Sequence, residues 1–145
     1  MYIRHEWRNF LIISAVQQPA KLSTMKKILI IEDEKDIIDI ATIILEDEGY
    51  EVSSISEYPG FEKKVDNCKA DLVLLDLNLQ GYHGKDICKY IKGNKDLKQT
   101  SVVLMSANRD IKAVKEESGA DAYIAKPFDL AEFISTVRAN LNLAS

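Results

Sequence analysis

The chain has 145 residues, 46% of them hydrophobic and 29% charged, the balance of a single globular domain with enough apolar material for a core. A net charge of −4 and a pI near 5.2 argue against a dedicated nucleic-acid binder, and no apolar run is long enough to cross a bilayer. Cys68 and Cys88 form no CxxC pair, which suits reduced thiols in a cytoplasmic protein.

Residues 1–24 read differently from the rest. They hold the only tryptophan, Trp7, and an apolar run over residues 10–16 behind Arg4, His5 and Arg8. A basic start and an apolar middle are signal-peptide features, but no clear small-residue cleavage pattern follows. The preferred reading is a flexible extension, or an upstream start chosen in place of Met25, with the domain proper over 25–145.

From there, short apolar runs alternate with amphipathic stretches. Ile28-Leu29-Ile30-Ile31 is unbroken and stops at Glu32-Asp33, as a strand buried on both faces of a parallel sheet would. Ile37, Ile40, Ala41, Ile44 and Leu45 follow the helical spacing of one buried stripe, and Gly49 ends it. A short second strand is predicted over 51–55, then a helix through Phe61, Val65 and Cys68. The third strand, Leu72-Val73-Leu74-Leu75, ends in Asp76. A loop with Gly81 and Gly84 leads to a helix carrying Ile87, Tyr90 and Ile91.

The fourth strand, Val102-Val103-Leu104-Met105, ends in Ser106, and a helix follows with Ile111 and Val114 inward and Arg109, Lys112 and Lys115 outward. The fifth strand, Ala122-Tyr123-Ile124-Ala125, runs into Lys126-Pro127. The last helix places Leu130, Phe133, Ile134, Val137 and Leu141 on one face, with Asp129 at its N-cap position. Five strands alternating with five helices imply an α/β domain with a parallel sheet covered on both sides.

The polar residues collect at one place. Strands one, three, four and five each deliver polar groups at their carboxyl ends: Glu32 and Asp33, Asp76, Ser106 and Lys126. Open α/β sheets bind ligands at that rim. Three crowded carboxylates repel one another, and a divalent cation with oxygen ligands or a lysine relieves the repulsion. Magnesium, or manganese, suits Glu32, Asp33 and Asp76, with the backbone carbonyl of Asn78 as a further oxygen. The Lys126 ammonium and the Ser106 hydroxyl are placed to meet an incoming phosphoryl group, and a carboxylate nucleophile beside a cation and an ammonium suits phosphoryl transfer.

These segments resemble the receiver domain of bacterial two-component systems: Lys26-Lys27-Ile28-Leu29-Ile30-Ile31-Glu32-Asp33-Glu34, then Asp71-Leu72-Val73-Leu74-Leu75-Asp76-Leu77, then Val102-Val103-Leu104-Met105-Ser106-Ala107, then Lys126-Pro127-Phe128. Each motif alone is weak, and the four in order at strand ends are strong together. The resemblance covers 25–145. It implies a flavodoxin-like doubly wound (βα)5 sheet of strand order 2-1-3-4-5. It also implies Asp76 as phosphoacceptor, Glu32 and Asp33 as the acidic pair for magnesium, Ser106 as the switch hydroxyl and Lys126 as the phosphoryl-contacting lysine. Tyr123, three before that lysine, falls where the family places a rotating aromatic. Fourth helix, fifth strand and fifth helix would form the signalling face, also used by phosphorylation-dependent dimers.

The implied partners are a sensor histidine kinase or a histidine phosphotransfer protein, and a downstream protein target. No direct contact with nucleic acid or membrane is expected, nor any output domain after the last helix. Gln80 stands where proline is common, which would loosen the loop, and His83 stands where an acid often precedes Gly84. Asn78 and Asn108, two past Asp76 and Ser106, are placed to orient a water for self-dephosphorylation. Two other readings compete. One is a receiver-like binding module that is never phosphorylated, although no needed residue is missing. The other is a haloacid-dehalogenase-type phosphatase, which would need an acid where Asn78 stands. The receiver reading requires Asp76 to lie near Asp33 with its carboxylate open to solvent.

Overall fold

The structure is a computed structural model that describes residues 25–144; the reading of residues 1–24 lies outside them. Five strands form one parallel sheet: β1 (Lys27–Ile31), β2 (Glu51–Ile55), β3 (Leu72–Asp76), β4 (Ser101–Ser106) and β5 (Ala122–Ala125), in the order β2-β1-β3-β4-β5. This is the strand order implied by the resemblance. Five helices connect and follow the strands: α1 (Lys35–Asp47), α2 (Phe61–Cys68), α3 (Gly84–Gly93), α4 (Ile111–Ser118) and α5 (Leu130–Ala144).

The unbroken apolar strands arise because β1, β3 and β4 are buried on both faces. The pleat divides them into two cores. Leu29, Ile31, Val73, Leu75, Val102 and Leu104 pack with Val65, Ile87 and Ile91 from α2 and α3, and Val114 of α4 lies against the same cluster. Ile28, Ile30, Leu72, Leu74, Val103 and Met105 pack on the other side, with Ala41 and Leu45 of α1 and Phe133, Val137 and Leu141 of α5.

Two helix faces differ from the sequence reading. In α1, Ile40 is 58% and Ile43 68% exposed, while Ile38 packs against the core. Isoleucines at positions 37, 38, 40, 43 and 44 fit more than one stripe, so periodicity alone cannot choose. In α5, Leu130 is 55% exposed, whereas Phe133, Val137 and Leu141 are buried. Asp129 caps α5 as expected, its Oδ1 accepting the Glu132 N–H at 2.7 Å. The segment expected as a plain loop after β3 holds a small antiparallel ladder, Asn78–Leu79 against Tyr82–His83, turned at Gly81 with φ 74°.

Candidate functional site

Parallel register brings the strand ends together. Ile31 pairs with Leu75 and Asp76 with Met105, so Glu32 emerges beside Asp76, and Ser106 one step beyond on β4. Ser106 pairs with Ala125, which delivers Lys126 to the same rim, and its carbonyl accepts the Lys126 N–H at 2.8 Å. The peptide bond between Lys126 and Pro127 is cis.

Lys126 Nζ lies 3.2 Å from Glu32 Oε2 and 3.2 Å from Asp76 Oδ2. The other oxygen of Glu32 accepts the N–H groups of Asp33 and Glu34 at 3.1 and 3.2 Å, so this fully buried carboxylate has donors on both oxygens. Asp76 Oδ1 accepts the Asn78 N–H at 3.0 Å. The Asp76 side chain is 5% exposed, a narrower opening than the sequence reading asks for, though not a closed one. The Ser106 hydroxyl oxygen is buried and accepts the Asn108 N–H at 3.0 Å.

The electrostatics follow from burial and from a surplus of acid over base. Burial, the neighbouring Asp76 carboxyl and its charge raise Glu32 from 4.5 to about 7, against the lowering by the Glu34 N–H and Lys126. Burial alone would depress Lys126, but Asp76 and Glu32 together hold its ammonium above the ordinary 10.5.

Sequence reading missed three contributors. Tyr58, just past β2, is buried, and its hydroxyl donates to Asp33 Oδ1. Burial first, then the bond to Asp33, raises its phenol, so it stays a donor. The Gln80 N–H donates to Asp33 Oδ2 at 2.6 Å. A proline there has no N–H, so this departure ties the loop down where the sequence reading expects loosening. Gly84 opens α3 against the backbone of the acceptor: a Cβ there would strike the Asp76 carbonyl oxygen and stand 2.7 Å from Leu77 Cα. Of the remaining expected residues, Asn78 and Asn108 are exposed at the rim, and Tyr123 on β5 is 37% exposed. His83 is exposed in the short ladder.

Among the described residues no three His, Cys, Asp or Glu side chains are already gathered at metal-ligand spacing. Donor chemistry carries the fit. Glu32 and Asp76 share one ammonium, and Asp33 has no cationic side chain within 4.0 Å among the described residues. Hard oxygen ligands with uncompensated negative charge suit magnesium or manganese. Glu32 is occupied by its own turn and by Lys126, and Asp76 by the Asn78 N–H and Lys126, so Asp33 is the acid of the three that keeps its charge uncompensated among the described residues.

Comparison with known proteins matches this fold. The family model described as the response regulator receiver domain matches residues 28–138, and the chain belongs to that family. RegX3 of Mycobacterium tuberculosis, a sensory transduction protein, is 36% identical over 117 residues, covering 81% of this chain and 51% of RegX3. The response regulator ArlR of Staphylococcus saprophyticus is 40% identical over 122 residues, covering 81% of this chain and 53% of ArlR. The chain thus spans about half the length of the curated relatives it matches.

Among solved structures, the Thermotoga maritima response regulator TrrA in complex with Mg2+-BeF superposes with a TM-score of 0.72 and 28% identity, covering 80% of this chain and 99% of that one. A putative response regulator from Chloroflexus aurantiacus gives a TM-score of 0.76 at 23% identity, covering 82% and 99%, a likeness of fold. Receiver domains are phosphoacceptor signalling domains of two-component systems and interact with histidine kinases. No helix among the described residues is long and apolar enough to cross a membrane.

Proposed function

We propose that Asp76 accepts a phosphoryl group from a phosphohistidine of a sensor histidine kinase or histidine phosphotransfer protein, in a magnesium-dependent reaction. The observation that carries this reading is Lys126 Nζ at 3.2 Å from both Glu32 Oε2 and Asp76 Oδ2, at the carboxyl ends of β1, β3 and β5. An Asp76 oxygen forms the new P–O bond, the P–N bond to the donor breaks, and the histidine nitrogen keeps the electron pair. Asp33, Asp76 and the Asn78 carbonyl would hold magnesium or manganese, with Glu32 behind them, and the ion when bound would neutralise negative charge on the phosphoryl oxygens. Lys126 exchanges one carboxylate contact for a phosphoryl oxygen, and the Ser106 hydroxyl donates to another. Catalysis is positioning and charge neutralisation, which a pre-set ammonium and hydroxyl provide.

Ser106 then moves toward the phosphate, and Tyr123, partly exposed on β5 opposite Leu104, turns inward. The α4-β5-α5 face changes shape, as a two-state element biased by a local charge event. Output passes by docking to a downstream protein, by onward transfer to a histidine, or by dimerisation through that face, in the cytoplasm. MtrA of Mycobacterium tuberculosis, a DNA-binding response regulator, is 35% identical over 123 residues but matches over 53% of its length. For the domain described here, net acidity disfavours direct contact with nucleic acid. Asn78 and Asn108 orient the water that ends the signal.

A small-molecule acyl phosphate donor with magnesium should add one phosphate by intact mass, and Asp76→Asn should add none. Labelling that persists in Asp76→Asn refutes the assignment, and an unlabelled wild-type chain favours a binding module.

A further inference from the structure

Asp33 differs from the other two acids of the rim in how it is held. Glu32 and Asp76 share the Lys126 ammonium, whereas Asp33 receives only neutral donors among the described residues. The Tyr58 hydroxyl takes one lone pair of Oδ1, and the Gln80 N–H takes one of Oδ2 at 2.6 Å. Each oxygen keeps its second lone pair. The two donors come from different loops: Tyr58 from the one after β2, and Gln80 from the one that starts at Asp76 and carries the Asn78 carbonyl. Asp33 is thereby oriented without being neutralised.

Tyr58 is itself fixed. The residue is 4% exposed and belongs to the core cluster under α2 and α3. It also packs against the Tyr82 ring at 5.5 Å with an interplanar angle of 55°. A rigid phenol on a carboxylate that lacks a charge partner is the arrangement of an outer-shell group that sets a ligand's direction and leaves its charge for an ion.

We infer that Tyr58 is a positioning residue for divalent-cation binding, acting through Asp33. This rests on the phosphoacceptor reading above and adds a residue that the family motifs do not contain. Without the hydroxyl, Asp33 keeps one donor of two, and the cation has to order the carboxylate itself, so affinity falls while the chemistry at Asp76 is untouched.

Calorimetric titration of the whole chain with magnesium chloride tests this, using wild type, Tyr58→Phe, Tyr82→Phe and Asp33→Asn. Tyr58→Phe keeps the ring and should raise the magnesium Kd about tenfold, the lower end for loss of an outer-shell partner. Tyr82→Phe, which keeps the aromatic contact, should leave the Kd unchanged. In phosphorylation by a small acyl phosphate, Tyr58→Phe should raise the half-saturating magnesium concentration and leave the plateau rate as in wild type, a split that general loosening of the fold would not produce. An unchanged or lower Kd in Tyr58→Phe, with binding lost in Asp33→Asn, overturns the inference and leaves the phosphoacceptor site standing. Binding retained in Asp33→Asn overturns both. If Tyr58→Phe fails to fold, the wild-type Gln80 amide provides the second measurement. Its NMR resonance should shift with the magnesium isotherm, and an isotherm that leaves it unmoved overturns the inference.

Discussion

Lys126 and Asp76 stand fifty positions apart in the chain and meet at 3.2 Å, with Lys126 reaching Glu32 at the same distance. One ammonium thus serves two buried carboxylates. Removing it leaves them uncompensated, and breaking a buried pair from one side costs about 3–5 kcal/mol. Lys126→Ala should therefore lose stability on that order in urea unfolding at pH 8 without magnesium, and should take up phosphate far more slowly. Unfolding indistinguishable from wild type would show that the carboxylates do not depend on Lys126.

Glu32 sets a pH dependence. Its native value of about 7 lies above its ordinary 4.5, so between these the native chain binds more protons than the unfolded one. Stability then rises as pH falls from 8 toward 5, by on the order of 2–3 kcal/mol for a shift of this size. The raised Lys126 acts in a different window: its contribution is full below 10.5 and is lost as pH climbs through its native value above that. Urea unfolding at pH 6 and pH 8 in a chelator checks the first window, and Glu32→Gln should flatten the slope there. A slope that survives this substitution assigns it to another group.

Gly84 is required by contact. A methyl group there meets the Asp76 carbonyl and Leu77 Cα, backbone that cannot turn aside as a side chain can. Gly84→Ala should cost about 1–3 kcal/mol, as overpacking does, and should slow phosphorylation by moving the acceptor. Gly93→Ala, at the other end of α3 with nothing within 4 Å of its added carbon, is the control and should be neutral or slightly stabilising. Equal effects at the two positions would show that the contact at Gly84 is relieved easily.

Asn108 serves the lifetime of the signal. Its backbone N–H binds Ser106 Oγ and its side chain accepts the Asp110 N–H at 3.0 Å, which leaves it exposed at the rim. Asn108→Leu should lengthen the half-life of the acyl phosphate by shielding it from water, at a stability cost of about 0.5–2 kcal/mol for the lost cap-like bond. Decay followed by intact mass after removal of the donor gives the measurement, and an unaltered half-life removes Asn108 from the role.

Much of this protein was legible from local pattern. The apolar runs at Ile28, Leu72 and Val102 mark strands buried on both faces, because a parallel sheet covered by helices needs no alternation. Polar residues placed immediately after those runs mark the rim, since a buried strand turns polar only where its side chains find polar partners, as Glu32, Asp76 and Ser106 do. Asp33, Asp76 and Ser106 stand at such ends, and Lys126 follows the fifth run, Ala122–Ala125, in the same way. The face of α1 was not legible, because its isoleucines satisfy two stripes and only the docked helix shows that Ile38 faces inward and Ile40 outward.

By itself the sequence determined the elements, their order and the residues at each strand end, all of which depend on neighbours within a few positions. The strand order, suggested in advance only by resemblance, rests on pairings across long stretches of chain. The tertiary structure alone decided which groups meet: the Tyr58 hydroxyl and Gln80 amide on Asp33, and the Asp76 backbone against Gly84. A phenol from one loop and an amide from another converge only after three strands have paired, and no spacing within either segment encodes that meeting.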